Sequence, residues 1–243
     1  MSKKYTFTGE TMLSPDGTST LHKIVALKDF SDMRGGIEGG WIEKEENLSQ
    51  EGDCWVYSDA MVYGNATVTD NAVVCEEAIV RGNAMVYGDA FIEGTAEVYG
   101  NAQVYVNARV LDEAQVYGNA RVLDDAQVYG NARVYGSAHI CDNAKVYDDA
   151  VVYSDALIYG DAMVYGSSEV HDTAMIYGNA KVYDEASIGG NARVYDEASV
   201  RGTAKVYDDA MVYDEAIVRG NAIVTNDAVV SGKVELSDDC RIL

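Results

Sequence analysis

The chain of 243 residues carries 18 Lys+Arg against 40 Asp+Glu, a formal net charge of −22. That balance argues against unaided binding to nucleic-acid phosphates or an anionic membrane, since each adds negative charge to negative charge, although a protein that imitates nucleic acid stays open. A 48% hydrophobic content disfavours general disorder, and no run approaches the ~18 apolar residues of a transmembrane helix.

Met1–Thr8 lacks an apolar signal core, which predicts a cytoplasmic protein. Tyr5–Leu13 and Leu21–Phe30 read as two strands around the turn Ser14-Pro15-Asp16-Gly17. Next come Gly35-Gly36-Ile37-Glu38-Gly39-Gly40-Trp41-Ile42 and a polar stretch through Glu51. Residues 1–51 are therefore expected to form an N-terminal β-hairpin cap and connector, distinct in composition from residues 52–243.

From Gly52 to Leu243 the chain divides into 32 consecutive hexapeptides without insertion or deletion. The third position is Ala in 28 of them, the exceptions being Cys54, Ser168, Val234 and Cys240, and the fifth is Val, Ile or Leu in all 32. The first is Gly in 16 and Asp in 11. Positions three and five lie two apart and share one side of an extended strand, whereas position four points away. A helix needs apolar spacing near 3.6, which period six cannot keep on one face. The Gly/Asp-Asn pair supplies a bend that tolerates positive φ. The unit is strand, corner, strand, corner.

A period of six with small and aliphatic interior residues marks a parallel β-helix. Val98…Ala102, Val104…Ala108 and Val110…Ala114 resemble the left-handed hexapeptide-repeat family. The resemblance implies three hexapeptides per triangular coil, hence about 11 coils in an all-β, left-handed parallel β-helix on the order of 50 Å long. One departure is that the residue after the aliphatic one is usually Tyr, where the family often has a small residue. Leu21-His22-Lys23-Ile24-Val25-Ala26-Leu27, Gly39-Gly40-Trp41-Ile42-Glu43 and Asn47-Leu48-Ser49 look like YdcK-type proteins of bacteria and phages, which are often named transferases on fold alone. A hairpin over the open strand edge of the first coil is physically expected.

Seventeen of the 18 tyrosines occupy the sixth position. Folded at 18 residues per coil they form columns: Tyr129, Tyr147, Tyr165 and Tyr183; Tyr99, Tyr117, Tyr135 and Tyr153; and Tyr159, Tyr177, Tyr195 and Tyr213. Such columns serve as stabilising ladders or as an adhesive surface for a protein, a glycan or a sister subunit. Double-acid corners at Asp112-Glu113, Asp148-Asp149 and Asp184-Glu185 alternate with Gly130, Gly166 and Gly202, consistent with avoidance of stacked like charges. These acids read as solvation of the rod, or as nucleic-acid imitation; calcium would need more oxygens than a corner supplies.

No catalytic, cofactor or metal residues are expected. His139, at an outward fourth position, is the weak candidate for a general base. The resemblance implies that hexapeptide acyltransferases use a histidine near an inserted loop, and this repeat has none. His171 lies at a sixth position on a different face, and His22 lies in the cap, so a three-histidine zinc site is not expected. Gly189-Gly190 reads as repeat punctuation, and the four cysteines as unpaired thiols. Leu236 and Ile242, in the least regular hexapeptides, are a second candidate contact surface. The reading is a non-catalytic rigid binding or assembly module, with a protein partner or a homo-oligomer (trimer or end-to-end dimer), and with no direct nucleic-acid or membrane binding. Its alternatives are an acyltransferase-like oligomeric enzyme and an acidic inhibitor that imitates nucleic acid.

Overall fold

The computed structural model describes residues 3–243; the first two residues of the Met1–Thr8 segment lie outside the described residues. All 32 first positions of the hexapeptides have positive φ, between 52° and 77°. Only Gly, and short side chains such as Asp, enter that region at low cost, which accounts for the Gly/Asp alternation at the corners. Between corners each hexapeptide contributes a two-residue strand, its fifth-position side chain turned inward. Ala114 and Val116 are fully buried, and the same holds for nearly every Ala and Val/Ile of the repeat.

The strands stack into three parallel faces of a solenoid of about 11 coils. Strands 18 residues apart pair directly, as in Glu97↔Gln115 and Val98↔Val116. The chain is thus an all-β parallel β-helix. Up to three backbone bonds tie a hexapeptide to the next coil, as in 94–99: Thr95 N donates to Asp112 O at 2.8 Å, Glu97 N to Ala114 O at 3.0 Å and Tyr99 N to Val116 O at 3.0 Å. These bonds satisfy backbone groups that burial would otherwise leave unpaired.

The first face is extended by the cap to 14 strands. β1 (Tyr5–Leu13) pairs antiparallel with β2 (Thr20–Ala26). β3 (Glu38–Ile42) pairs antiparallel with β2 on one edge and parallel with Met61–Val62 on the other. β3 therefore converts a hairpin into the first parallel strand, and Leu48 adds a bridge to Val68. The turn after β1 is held by the Asp16 carboxylate, which accepts from Ser14 Oγ at 2.6 Å and Thr18 Oγ1 at 2.7 Å. Those bonds hold its pKa down at about 2.

The second strand ends at Ala26 rather than at the expected Phe30. Asp29 Oδ1 accepts the Gly35 N–H at 2.9 Å, and Phe30 turns in to place its ring 5.3 Å from that of Trp55. Trp55, at an outward fourth position, is fully buried beneath this cap. Gly39 is required there, because a Cβ would stand 2.6 Å from Trp55 Cζ2.

Candidate interaction surface

The sixth position follows an inward fifth, so its side chain points out, and the 18-residue coil repeats it once per strand spacing. Tyr129, Tyr147, Tyr165 and Tyr183 stack with ring centroids 4.8 Å apart and planes within 2°. Tyr159, Tyr177, Tyr195 and Tyr213 stack at the same 4.8 Å spacing, with planes within 9°. Tyr99, Tyr117, Tyr135 and Tyr153 continue at 4.8 to 5.2 Å. Interior rings thus have both faces covered by neighbours and offer a partner only edges and hydroxyls. A sugar that needs an open ring face finds none at these interior rings. Burial, then the neighbouring Tyr129 and Tyr165 phenols, push the Tyr147 hydroxyl up to about 12.

Two arginines occupy sixth positions next to tyrosines and close the columns. The Arg81 guanidinium lies 4.3 Å from the Tyr99 ring centroid and pairs with Glu97 at 3.1 Å. Arg201 Nη1 donates to the Tyr183 hydroxyl at 3.0 Å. Both follow from the 18-residue register, so the sequence carried the signal without its chemistry being recognised.

The Tyr99 column changes character after Tyr153. His171 continues the stack at 5.2 Å, and the next sixth position is Gly189 rather than an aromatic residue. A Cβ there would stand 2.2 Å from His171 Cε1. Gly189 is therefore more than punctuation: it leaves the space that the imidazole fills. Gly190 is a corner, with φ 66°. His171 Nδ1 is 3.0 Å from Asp172 Oδ2, which also accepts the Gly190 N–H at 2.9 Å. Those bonds, the backbone one foremost, hold the Asp172 carboxyl below its ordinary range. Tyr207 completes the group by donating to Ser187 Oγ at 2.8 Å. Sequence reasoning missed this cluster; the only Gly at a sixth position was the available signal.

His139 stands apart, on the third face, between Arg121 and Leu157 in the strand register. Burial, then the Arg121 charge, lower its pKa. The fold does not bring it together with His171. Among the described residues, no group of three or more His, Cys, Asp and Glu side chains stands close enough to hold a metal ion.

The acidic corners have a local purpose. Asp112 Oδ2 accepts the Gly130 N–H at 3.0 Å, Asp148 that of Gly166 at 3.2 Å and Asp184 that of Gly202 at 3.1 Å. Asp in one coil therefore satisfies the corner of the next, which gives the alternation a hydrogen-bonding cause besides charge separation. At second positions Asn65, Asn83, Asn101 and Asn119 form an amide ladder with bonds of 2.9 to 3.1 Å. Leu236 and Ile242 are half-buried on strands that have no further coil beyond them among the described residues.

A family model described as "YdcK Beta solenoid repeat" matches residues 60–76, 114–125, 126–142 and 156–172. The chain is also similar to a protein of Escherichia coli (strain K12) named "Uncharacterized acetyltransferase YdcK", with 49% identity over 45 residues. The match covers 17% of this chain and 14% of that relative's length.

Proposed function

We propose that this YdcK-type β-helix protein is a rigid, non-catalytic binding or assembly rod whose tyrosine columns dock a protein partner or a second copy of the chain. The carrying observation is the run Tyr129–Tyr147–Tyr165–Tyr183, four rings stacked in register on a backbone bonded at every strand. Such a row combines apolar edges with hydroxyls and loses little entropy on docking, the property that enriches tyrosine at interfaces. The half-buried Leu236 and Ile242 are a second contact. The net charge of −22 disfavours nucleic acid as the direct partner. No helix among the described residues is long and apolar enough to cross a membrane. Four free thiols accord with a cytoplasmic setting.

The test is molar mass by light scattering across concentration, followed by the same measurement on Tyr147→Ser with Tyr165→Ser and on Leu236→Lys with Ile242→Asp. Self-assembly through these surfaces predicts a larger mass for the wild type and a lower one for the matching variant, with circular dichroism unchanged. A wild type of monomer mass that also captures no protein partner would remove the proposal.

One observation favours a second reading, an acyltransferase. An imidazole held at Nδ1 by an ionised carboxylate leaves Nε2 as a general base that takes a proton from an amine or hydroxyl acceptor as it is acylated. The His171–Asp172 pair has that arrangement, and the Escherichia coli relative is named as an acetyltransferase. His139, with no carboxylate bonded to it, is the weaker base. Imitation of nucleic acid has less support, because Asp112, Asp148 and Asp184 each already commit an oxygen to a backbone N–H.

A further inference from the structure

We propose that Lys4 and Cys54 form an oxidation-dependent cross-link, in which one oxygen atom delivered by hydrogen peroxide bridges the lysine Nζ and the cysteine Sγ. Lys4 immediately precedes β1 and is 1% exposed, and Cys54 in the first coil is fully buried. The ammonium stands 3.2 Å from Cys54 Sγ. It also donates to the carbonyl oxygens of Cys54 at 2.9 Å, Gly52 at 3.3 Å and Glu51 at 3.4 Å, and the Phe30 ring centroid lies 5.2 Å away. These partners fix a side chain that is otherwise among the most mobile in a protein, and they hold its nitrogen against the sulfur.

Two further features point to chemistry rather than packing alone. Cys54 occupies a third position, where 28 of 32 hexapeptides use Ala, so the core does not require sulfur there. Lys4 also lines an open cleft of about 500 Å³ together with Lys28, Asp29, Gln50 and Glu51, wide enough to admit peroxide. Burial pushes the Cys54 thiol up while the Lys4 charge pulls it down, so the oxidation is slow and needs sustained exposure to peroxide.

The steps balance. In the first, sulfur attacks peroxide: an S–O bond forms, the O–O bond breaks, and the thiol proton leaves with the departing hydroxide as water, giving the sulfenic acid. In the second, the ammonium gives its extra proton to solvent through the cleft. The sulfenic oxygen then bonds to the lysine nitrogen, and a second peroxide accepts one hydrogen from nitrogen and one from oxygen, leaving as two waters. The product, N–O–S, carries one oxygen more and two hydrogens fewer than the starting pair. It ties the cap to the first coil across 50 residues of chain.

The other thiols provide an internal control. Cys75 and Cys141 are half-buried sixth-position residues, and within the described residues no lysine nitrogen is among the hydrogen-bond partners of either. The full chain, incubated with hydrogen peroxide and digested without reductant, is expected to yield one joined peptide holding Lys4 and Cys54. Its mass exceeds the two separate peptides by one oxygen less two hydrogens, and it separates on treatment with dithiothreitol. Cys54→Ala, which places the commonest third-position residue there, should abolish the joined peptide. Lys4→Arg should leave Cys54 to proceed to the sulfinic acid. The proposal is overturned if wild-type Cys54 becomes sulfinic acid with its peptides separate, joins another cysteine as a disulfide, or stays a thiol after Cys75 and Cys141 are oxidised. The assignment by peptide mass in the wild type stands even if a variant folds poorly.

Discussion

The imidazole of His171 covers the α-carbon of Gly189, one coil away, in the space where any other residue would place its side chain. Stacking on Tyr153 and the bond to Asp172 keep the ring there. Gly189→Ala should therefore destabilise the fold by about 1–3 kcal/mol, the usual range for overpacking a filled site. The urea midpoint should fall with an unchanged slope. An unaltered midpoint would mean that the ring swings aside freely.

The binding-rod and acyltransferase readings separate on one pair of measurements. The rod predicts no acetyl transfer from acetyl-coenzyme A and no micromolar affinity for coenzyme A by calorimetry. If the wild type does turn over, His171→Ala should lower kcat by at least about 100-fold, the ordinary contribution of a positioned base. His139→Ala should leave it unaltered. The opposite ranking would transfer the role to His139.

Alkali should dismantle the rod before its backbone chemistry requires. The Tyr147 pKa is raised to about 12 in the folded chain against an ordinary 10, and burial also raises that of Tyr129. Below pH 10 these phenols are protonated in both states and the full stability is present. Between pH 10 and about 12 the unfolded chain loses protons that the folded chain keeps, so stability declines as pH rises through that window. Phenolate absorbance and circular dichroism followed together should show ionisation and unfolding overlapping there. Complete ionisation near pH 10 with the fold intact would contradict the shielding of the phenols by their stacked neighbours.

Val106 breaks the corner rule. It holds φ at 63° and is 41% exposed, whereas the other first positions are Gly, Asp, Ser, Glu or Asn. A β-branched residue is strained in that region. Val106→Gly is expected to raise stability by about 1 kcal/mol by relieving that strain, less the entropy that glycine adds to the unfolded chain. Thermal unfolding would register the gain as a higher Tm, and a lower Tm would show that the valine side chain makes a contact worth more than the strain.

The repeat was legible because its geometry is local. Strand alternation decides which of Ala114, Gln115 and Val116 points inward, and a period of six without insertions carries every sixth residue into a column. The Tyr129–Tyr183 and Tyr159–Tyr213 stacks follow from counting once the coil length of 18 is supplied by resemblance. What counting could not reach depends on contacts made between elements of different kinds. Phe30 leaves its strand because Trp55 of the first coil waits beneath it, 25 residues later in the chain. Lys4 is buried because the cap folds over Cys54, and no periodicity relates the two. Asp172 could be read as a corner acid, but its hold on His171 depends on a ring orientation that Tyr153 and the bare α-carbon of Gly189 impose. Within the solenoid the backbone repeats and the sequence is its map; at the cap and at breaks in a column, side chains choose their places by packing, and only the tertiary structure decides them.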